Sequence, residues 1–409
     1  MGCAGSSAAQ PQGGQAGGKV IPLRRRLSVG NIDDIQTGQT QEEIVEEERG
    51  LLWKITEKNI LEVADELKNL EDGAQPSPAK SEQKRRVSIG SETDRNANKR
   101  QSFKRKDEFQ LGDDSTSLHI GYTCRKGLKP ESPNQDSWFV FDVEDDYAIY
   151  GVFDGHGAKG HDVSNLVKDY LPKMIITAEG FREDPASVMV KCFLKMQALL
   201  VQFDRNELVN GQLSGTTCTI VVHDRLTERL IVAHVGDSRA VLLRKDGETD
   251  RIAAQDLTTD HKPELKEERA YIERNGGRVA FDGFANHRLY VKNGTYPGLN
   301  MSRALGDILG STNAGVNNTP EVAIINLPKK DVDESELVSP DGTRAVLVLC
   351  SDGVWEFISS HRARDIVMRY DKANAKAASE ALAKEAWDNW IREEGGCVVD
   401  DITALVVYI

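Results

Sequence analysis

Four short stretches place an aspartate next to a glycine, a second aspartate or a small polar residue. They are Val152-Phe-Asp-Gly-His-Gly157, Val235-Gly-Asp-Ser-Arg239, Leu349-Cys-Ser-Asp-Gly353 and Asp400-Asp-Ile-Thr403. The first three close apolar runs that read as buried strands (Ala148 to Phe153, Leu230 to Val235, Ala345 to Cys350), and the fourth opens another, Ala404 to Ile409. A strand end fixes backbone position, and a small neighbour leaves the carboxylate room to reach an ion. Several such aspartates without a matching set of His or Cys describe an oxygen-donor site for Mg²⁺ or Mn²⁺, not for zinc. Asp154 can bridge two ions, with the Gly155 carbonyl facing one of them. Asp352 and Asp400 can complete the coordination of the second, and Asp136, in Pro133-Asn-Gln-Asp136, can hold the first through water. Two ions about 3.5–4 Å apart lower the pKa of a bridging water and neutralise charge on an in-line phosphoryl displacement. His156, two residues past the bridging aspartate, is placed to protonate a leaving oxygen. A single such pair of residues makes a turn. Four of them at strand ends point to a metal-dependent hydrolase.

The elements that must position these residues begin near Leu111. Strand patterns cover Leu118 to Cys124, Trp138 to Asp142, Ala148 to Phe153, Thr217 to His223, Leu230 to Val235, Ala240 to Leu243 and Ala345 to Cys350. Helical periodicity covers Gly160 to Ile176, Pro185 to Asn206, Pro263 to Asn275, His361 to Tyr370 and Ala373 to Glu393. Grouped strands with separate helices predict an α+β domain over 111–409 with largely antiparallel sheets.

Residues 1–110 read differently, as a largely disordered tail for regulation or anchoring. Gly, Ser, Gln and Ala dominate positions 2–18, and Lys/Arg clusters recur. Such a stretch cannot bury enough apolar surface to offset its ordering entropy. Within it, Leu52, Ile55, Ile60, Val63, Leu67 and Leu70 recur at helical steps, predicting a helix near 41–70 that packs on the domain, docks or autoinhibits. Arg24-Arg-Arg-Leu-Ser-Val-Gly30 and Lys84-Arg-Arg-Val-Ser-Ile-Gly90 share one pattern, the form a basophilic protein kinase reads, with Ser28 and Ser88 as acceptors. Met1-Gly-Cys-Ala-Gly-Ser6 fits an N-myristoylation signal on Gly2, with Cys3 placed for palmitoylation. One acyl chain binds membrane only marginally, so Cys3 and the arginines at 24–26 would add the second signal.

Composition narrows the class. The net charge of −13 over 409 residues argues against a nucleic-acid binder. No apolar run approaches a membrane span, and the N-terminus lacks the apolar core of a secretory signal. Six scattered cysteines without a CxxC pair suit a reduced, cytoplasmic protein, held at the membrane surface only through its acylated end.

The set of motifs resembles the metal-dependent PPM class of serine/threonine protein phosphatases, the PP2C family. Matching stretches, in order, are Asn134-Gln-Asp136, Phe153-Asp-Gly-His-Gly157, Ser214-Gly-Thr-Thr217, Val235-Gly-Asp-Ser-Arg239, Asp260-His-Lys-Pro263, Asn275-Gly-Gly-Arg278, Ser302-Arg-Ala-Leu-Gly-Asp307, Ser351-Asp-Gly353 and Asp400-Asp-Ile-Thr403. The resemblance covers about residues 113–409. It implies a central antiparallel β-sandwich flanked by helices, hydrolysis of phosphoserine and phosphothreonine in proteins, and two Mn²⁺ or Mg²⁺ ions in a cleft at one end. It makes Asp154, Gly155, Asp352 and Asp400 ligands, Asp136 a ligand through water, and Asp237 the aspartate near a third, weaker ion. Asp401 stands where many relatives have Asn and is read as support; Gln135 replaces a common glutamate. The family also clamps the substrate phosphate with an upstream arginine, for which Arg125 is the best match and Lys126 the alternative. Arg303 and Asp307 are expected as a buried pair or helix cap. The segment Phe281 to Leu299 resembles the variable flap bordering the family's cleft. Competing readings are a catalytically silent scaffold of the same fold, or a membrane-tethered adaptor whose tail does the work.

Overall fold

The computed structural model describes residues 51–54, 119–129, 133–143, 146–246, 251–327 and 338–409. Strands and helices are numbered here along the chain. One sheet joins β1 (Leu51–Lys54), β3 (Asp136–Val143), β4 (Tyr147–His156), β6 (Cys218–Asp224), β7 (Arg229–Val235) and β14 (Glu321–Asn326) in that order, with β5 (Gly215–Thr216) and β13 (Leu305–Gly306) paired at its side. The second runs β2 (Ile120–Arg125), β16 (Ile402–Tyr408), β15 (Val346–Cys350), β8 (Arg239–Lys245), β9 (Ile252–Asp256). All these pairings are antiparallel except β1 with β3.

Period-2 alternation sorts the side chains into layers. On β3 and β4, Trp138, Val140, Tyr150 and Val152 face the second sheet, where they meet Leu242, Leu347, Leu349 and Leu405. Phe139, Phe141, Ile149 and Phe153 face the other way, onto the first helical layer. Each fully buried side chain of this size contributes about 1.5–3 kcal/mol. That layer is α1 (Gly160–Ile176) and α2 (Pro185–Arg205). Asp184 caps α2 by accepting from the Ser187 N–H at 3.1 Å, and Pro185 occupies its first turn, where a missing N–H is harmless. Beyond α3 (Lys266–Arg274), α4 (Ile308–Asn313) and α5 (Asp352–Trp355), the outer face of the second sheet is covered by α6 (Ser360–Val367) and α7 (Ala375–Glu393) through Ile366, Leu382, Ala386 and Trp390. The result is the predicted antiparallel sandwich between helical layers.

Three expectations change. Helix α2 is long and apolar enough on average to qualify as a span, although no such run is evident in the sequence. Half of the qualifying window is buried, and its apolar residues pack on α1 and the first sheet, so its hydropathy is that of a core helix. The helix expected near 41–70 is interrupted at Leu51–Lys54, which pairs with β3 in the register Leu51↔Phe139 to Lys54↔Asp142. An open strand edge offers backbone partners that outweigh a local helical period; the rest of that expectation, with Gly2, Cys3, Ser28 and Ser88, lies outside the described residues. A third small sheet, β10 (Gly277–Phe281), β11 (His287–Val291) and β12 (Pro297–Leu299), was not evident from the strand patterns; it packs with α3 around Ile272, Leu289 and Met301.

Candidate active site

Antiparallel pairing brings the start of β3 and the end of β4 together, so that Asp136 stands directly opposite Asp154. The second sheet delivers its own ends to the same place. Ser351, after β15, donates its N–H to the Thr403 carbonyl at 3.1 Å, and both hydroxyls, Ser351 Oγ and Thr403 Oγ1, donate to Asp136 Oδ2 at 2.7 Å. Asp352 opens α5 from the next residue. Asp154 is held by Thr217: its N–H donates to Thr217 Oγ1 at 2.9 Å, and its carbonyl accepts the Thr217 N–H at 2.8 Å. The Ser-Gly-Thr-Thr stretch is thus a brace for Asp154.

Crowding of these carboxylates disfavours their charged forms. Burial, then the charges of Asp352, Asp136 and Asp400, hold Asp154 well above the ordinary carboxylate range. Burial, then Asp400 and Asp237, do the same for Asp352. Asp136 is pushed up to about 7 by burial and Asp401, against the pull of its two hydroxyl donors. One oxygen each of Asp136, Asp237 and Asp352 is buried with no hydrogen-bond partner. Oxygen-only donors, crowded negative charge that Lys129 and Lys262 only partly offset, and orphaned buried oxygens fit hard divalent cations.

The two adjacent aspartates before β16 divide their work. Asp401 accepts from Lys126 Nζ at 3.2 Å, the Gly127 N–H at 2.7 Å and the Gln135 N–H at 2.8 Å. It ties the loop after β2 to the start of β3, and burial notwithstanding, Lys126 and Lys129 hold it below its ordinary range. Asp400 instead meets Lys129 Nζ at 2.5 Å. Glycine is required in that loop: a Cβ on Gly127 would lie 2.1 Å from the Val399 carbonyl oxygen. A Cβ on Gly155 would likewise lie 2.4 Å from the Gly160 carbonyl. The Gln135 amide donates to the Gly157 carbonyl at 2.7 Å, a bond a glutamate could not make in its ionised form.

Arg125 requires a correction. Cys124 and Thr403 share the face toward Asp136, with Thr403 Oγ1 donating to Asp136 and lying 3.3 Å from Cys124 Sγ. Alternation therefore sends Arg125 to the opposite face, where its guanidinium lies 4.8 Å from the Trp387 ring centre on α7. Burial there lowers its pKa to about 10. The alternative, Lys126, is buried against Asp401. Lys129, further along the same loop, is 24% exposed on its side chain, and Lys262, which contacts Asp237, is 29% exposed. Burial opposes the charge of Lys129, but Asp400 and Asp401 together raise its pKa. Spacing alone hid Lys129, because it lies beyond the Gly127 turn.

His156 is buried, with Nε2 2.6 Å from Asp307 Oδ2. Burial lowers its pKa, but the Asp307 charge and hydrogen bond outweigh it and leave a net upward shift. Asp307 adopts φ 42°, in the left-handed region, and caps nothing with its side chain. Its expected partner, Arg303, is ion-paired with Glu268. Asp237 sits in the β7–β8 turn, contacted by Lys262.

A family model described as protein phosphatase 2C matches residues 130–393. Among similar proteins, probable protein phosphatase 2C 35 of Arabidopsis thaliana is 32% identical over 342 residues, spanning 75% of this chain and 90% of that protein. Probable protein phosphatase 2C 34 of the same plant is 31% identical, spanning 77% and 87%. In fold, the chain is similar to the crystal structure of serine-threonine phosphatase 2C from Toxoplasma gondii, with TM-score 0.57 at 21% identity, over 71% of this chain and 94% of that one.

Proposed function

The chain belongs to the protein phosphatase 2C family and is a metal-dependent protein serine/threonine phosphatase; we propose that it hydrolyses phosphoserine and phosphothreonine at the strand-end carboxylates. The observation that carries the site is the convergence of Asp136, Asp154, Asp352 and Asp400 with buried oxygens left unpaired. Asp154, Asp352, Asp400 and the Gly155 carbonyl would hold two Mn²⁺ or Mg²⁺ ions, Asp136 would act through water, and Asp237 would serve a third, weaker ion. When bound, such ions neutralise charge on the phosphoryl group and lower the pKa of the attacking water.

The protein's own groups do the rest. Ser351 and Thr403 fix the Asp136 carboxylate through two hydroxyl donors, and Asp401 fixes the loop that brings Lys129 to the rim. Lys129 orients the substrate phosphate as a point charge, a role the sequence suggested for Arg125. His156, kept protonated by Asp307, gives its proton to the departing serine or threonine oxygen as the P–O bond breaks and water oxygen becomes bonded to phosphorus. Loss of phosphopeptide turnover in Asp154→Asn with an unchanged fold supports this reading; turnover equal to wild type contradicts it. From the sequence signal alone, we further propose that acylation at Gly2 and Cys3 tethers the enzyme to a cytoplasmic membrane surface. A basophilic kinase acting on Ser28 and Ser88 would weaken that tether by adding negative charge beside arginines. Gly2→Ala should move the protein to the soluble fraction, and an unchanged membrane fraction would refute the tether.

A further inference from the structure

The turn that carries Asp237 is fastened by a loop whose residues the hydrolytic scheme leaves unused. His261 is 2% exposed. Its backbone N–H donates to the Gly236 carbonyl at 3.0 Å, and its ring Nδ1 accepts the Gly236 N–H at 3.1 Å. Both polar groups of Gly236 therefore end on one residue. Gly236 has φ 99°, a left-handed conformation that favours glycine, so no side chain of its own can hold the peptide leading into Asp237. On the far side of the same clamp, Lys262 touches the Asp237 carboxylate, and Arg239 pairs with Asp260 through two bonds of 2.9 and 2.7 Å.

The clamp also faces the flap. The His261 carbonyl accepts the Ser302 N–H at 2.9 Å, and Ser302 Oγ donates to Glu268 at 2.6 Å. Residues 263–301, which include α3 and the three-stranded sheet, leave and return at these points. His261 thus joins the root of that module to the Asp237 turn.

His234, His261 and Glu321 together have the composition of a metal site, with their donor atoms within 4.8 Å of one another. The hydrogen bonds argue otherwise. A ligating histidine donates its second ring N–H to an acceptor, whereas the second nitrogen of His261 receives a backbone proton. The neutral ring therefore carries its proton on Nε2, 3.5 Å from Glu321 Oε2. His234, stacked on His261 at 4.3 Å and 9°, has Nε2 3.0 Å from the Thr259 carbonyl, where it donates.

We propose that His261 is a positioning residue: its Nδ1 acceptor holds the Gly236–Asp237 turn and so sets the cation affinity of Asp237. This rests on the reading of Asp237 as a cation ligand. The test is direct Mn²⁺ binding to the full chain, followed by electron paramagnetic resonance of free Mn²⁺. His261→Asn places an amide oxygen near the Nδ1 position and keeps the acceptor. His261→Phe keeps the stacked ring and removes it, and His261→Gln, which carries its amide too far out, serves if the phenylalanine variant fails to fold. Asp237→Asn is the reference. Expected are a weakest-site dissociation constant raised roughly 10-fold or more in Asp237→Asn and in His261→Phe or Gln, and an affinity near wild type in His261→Asn. If Asp237→Asn weakens binding while His261→Phe and Gln bind as wild type, or if His261→Asn is as weak as they are, the role of His261 is refuted. If Asp237→Asn itself binds as wild type, the ligand reading of Asp237 is what fails.

Discussion

The strand-end carboxylates and the module at 263–301 solve opposite problems. The carboxylates gather more charge than Lys129 and Lys262 neutralise: Asp136, Asp154 and Asp352 are all raised above their ordinary range, and each arrives on a strand or helix locked into the main core. The module does the reverse. It has a small apolar centre around Ile272, Leu289 and Leu299, and two of its buried acidic groups are paired, Glu268 with Arg303 and Asp282 with Arg288. Burial raises both carboxyls, yet donors and nearby cations leave Glu268 and Asp282 below the ordinary range. Charge crowding is concentrated where chemistry is proposed and relieved by cations in the element bordering it.

That contrast can be broken most severely at Asp352. Asp352→Asn should lower phosphopeptide turnover by roughly 10²–10³-fold or more, as loss of a preorganised charge does. The same change should raise the melting temperature of the metal-free protein, because it removes a buried charge that its neighbours repel. A lowered metal-free melting temperature would show that the cluster is not strained.

In the module, Leu289→Ala should cost about 2–5 kcal/mol, seen as faster amide exchange across β10–β12. Hydrolysis of a small aryl phosphate should stay within a few-fold of wild type. A collapse of that activity would mean the module is part of the site.

Next comes the pair the sequence confused. Lys129→Ala should raise KM for a phosphopeptide by about tenfold, the scale of one charged hydrogen bond. Arg125→Ala should leave KM alone and lower stability by about 0.5–2 kcal/mol through the lost Trp387 stack. Steady-state kinetics and urea melts separate the two, and a KM effect confined to Arg125→Ala would reverse the assignment.

The most gradual effect concerns acid. Burial, then His261, lowers His234 to about 4, against about 6.5 when unfolded. Between those values the unfolded chain binds more protons, so this group's contribution is intact above pH ~6.5 and declines as pH falls toward ~4. His234→Asn should flatten that part of the stability profile. Parallel urea midpoints across the window in the two proteins would contradict it.

The core and the strand ends that carry the candidate aspartates were legible because their signals are strong. Gly160 to Ile176 is a helix over the expected span, and the aspartates stand at strand ends where runs of Val, Ile and Leu stop. Strand β14 was missed because an edge strand, half exposed along its length, shows no clean apolar run. The strands of the 277–299 module are only three to five residues long, so propensity had little to sum. Arg125 was misassigned through residue type: alternation from Cys124 would have turned it away from Asp136, and Lys129 is reached only by knowing how Gly127 folds the loop back on Val399. Asp307 and His261 lie in recognised motifs, but their partners are 151 and 25 residues distant, and no spacing rule reports that.

The most direct test of the central claim is turnover of a phosphoserine peptide by chelator-treated protein before and after Mn²⁺ is restored, with bound Mn²⁺ counted in the same sample. Activity should vanish with the metal and return as two ions bind. Hydrolysis undiminished in the metal-free protein would contradict the claim that these carboxylates act by holding cations.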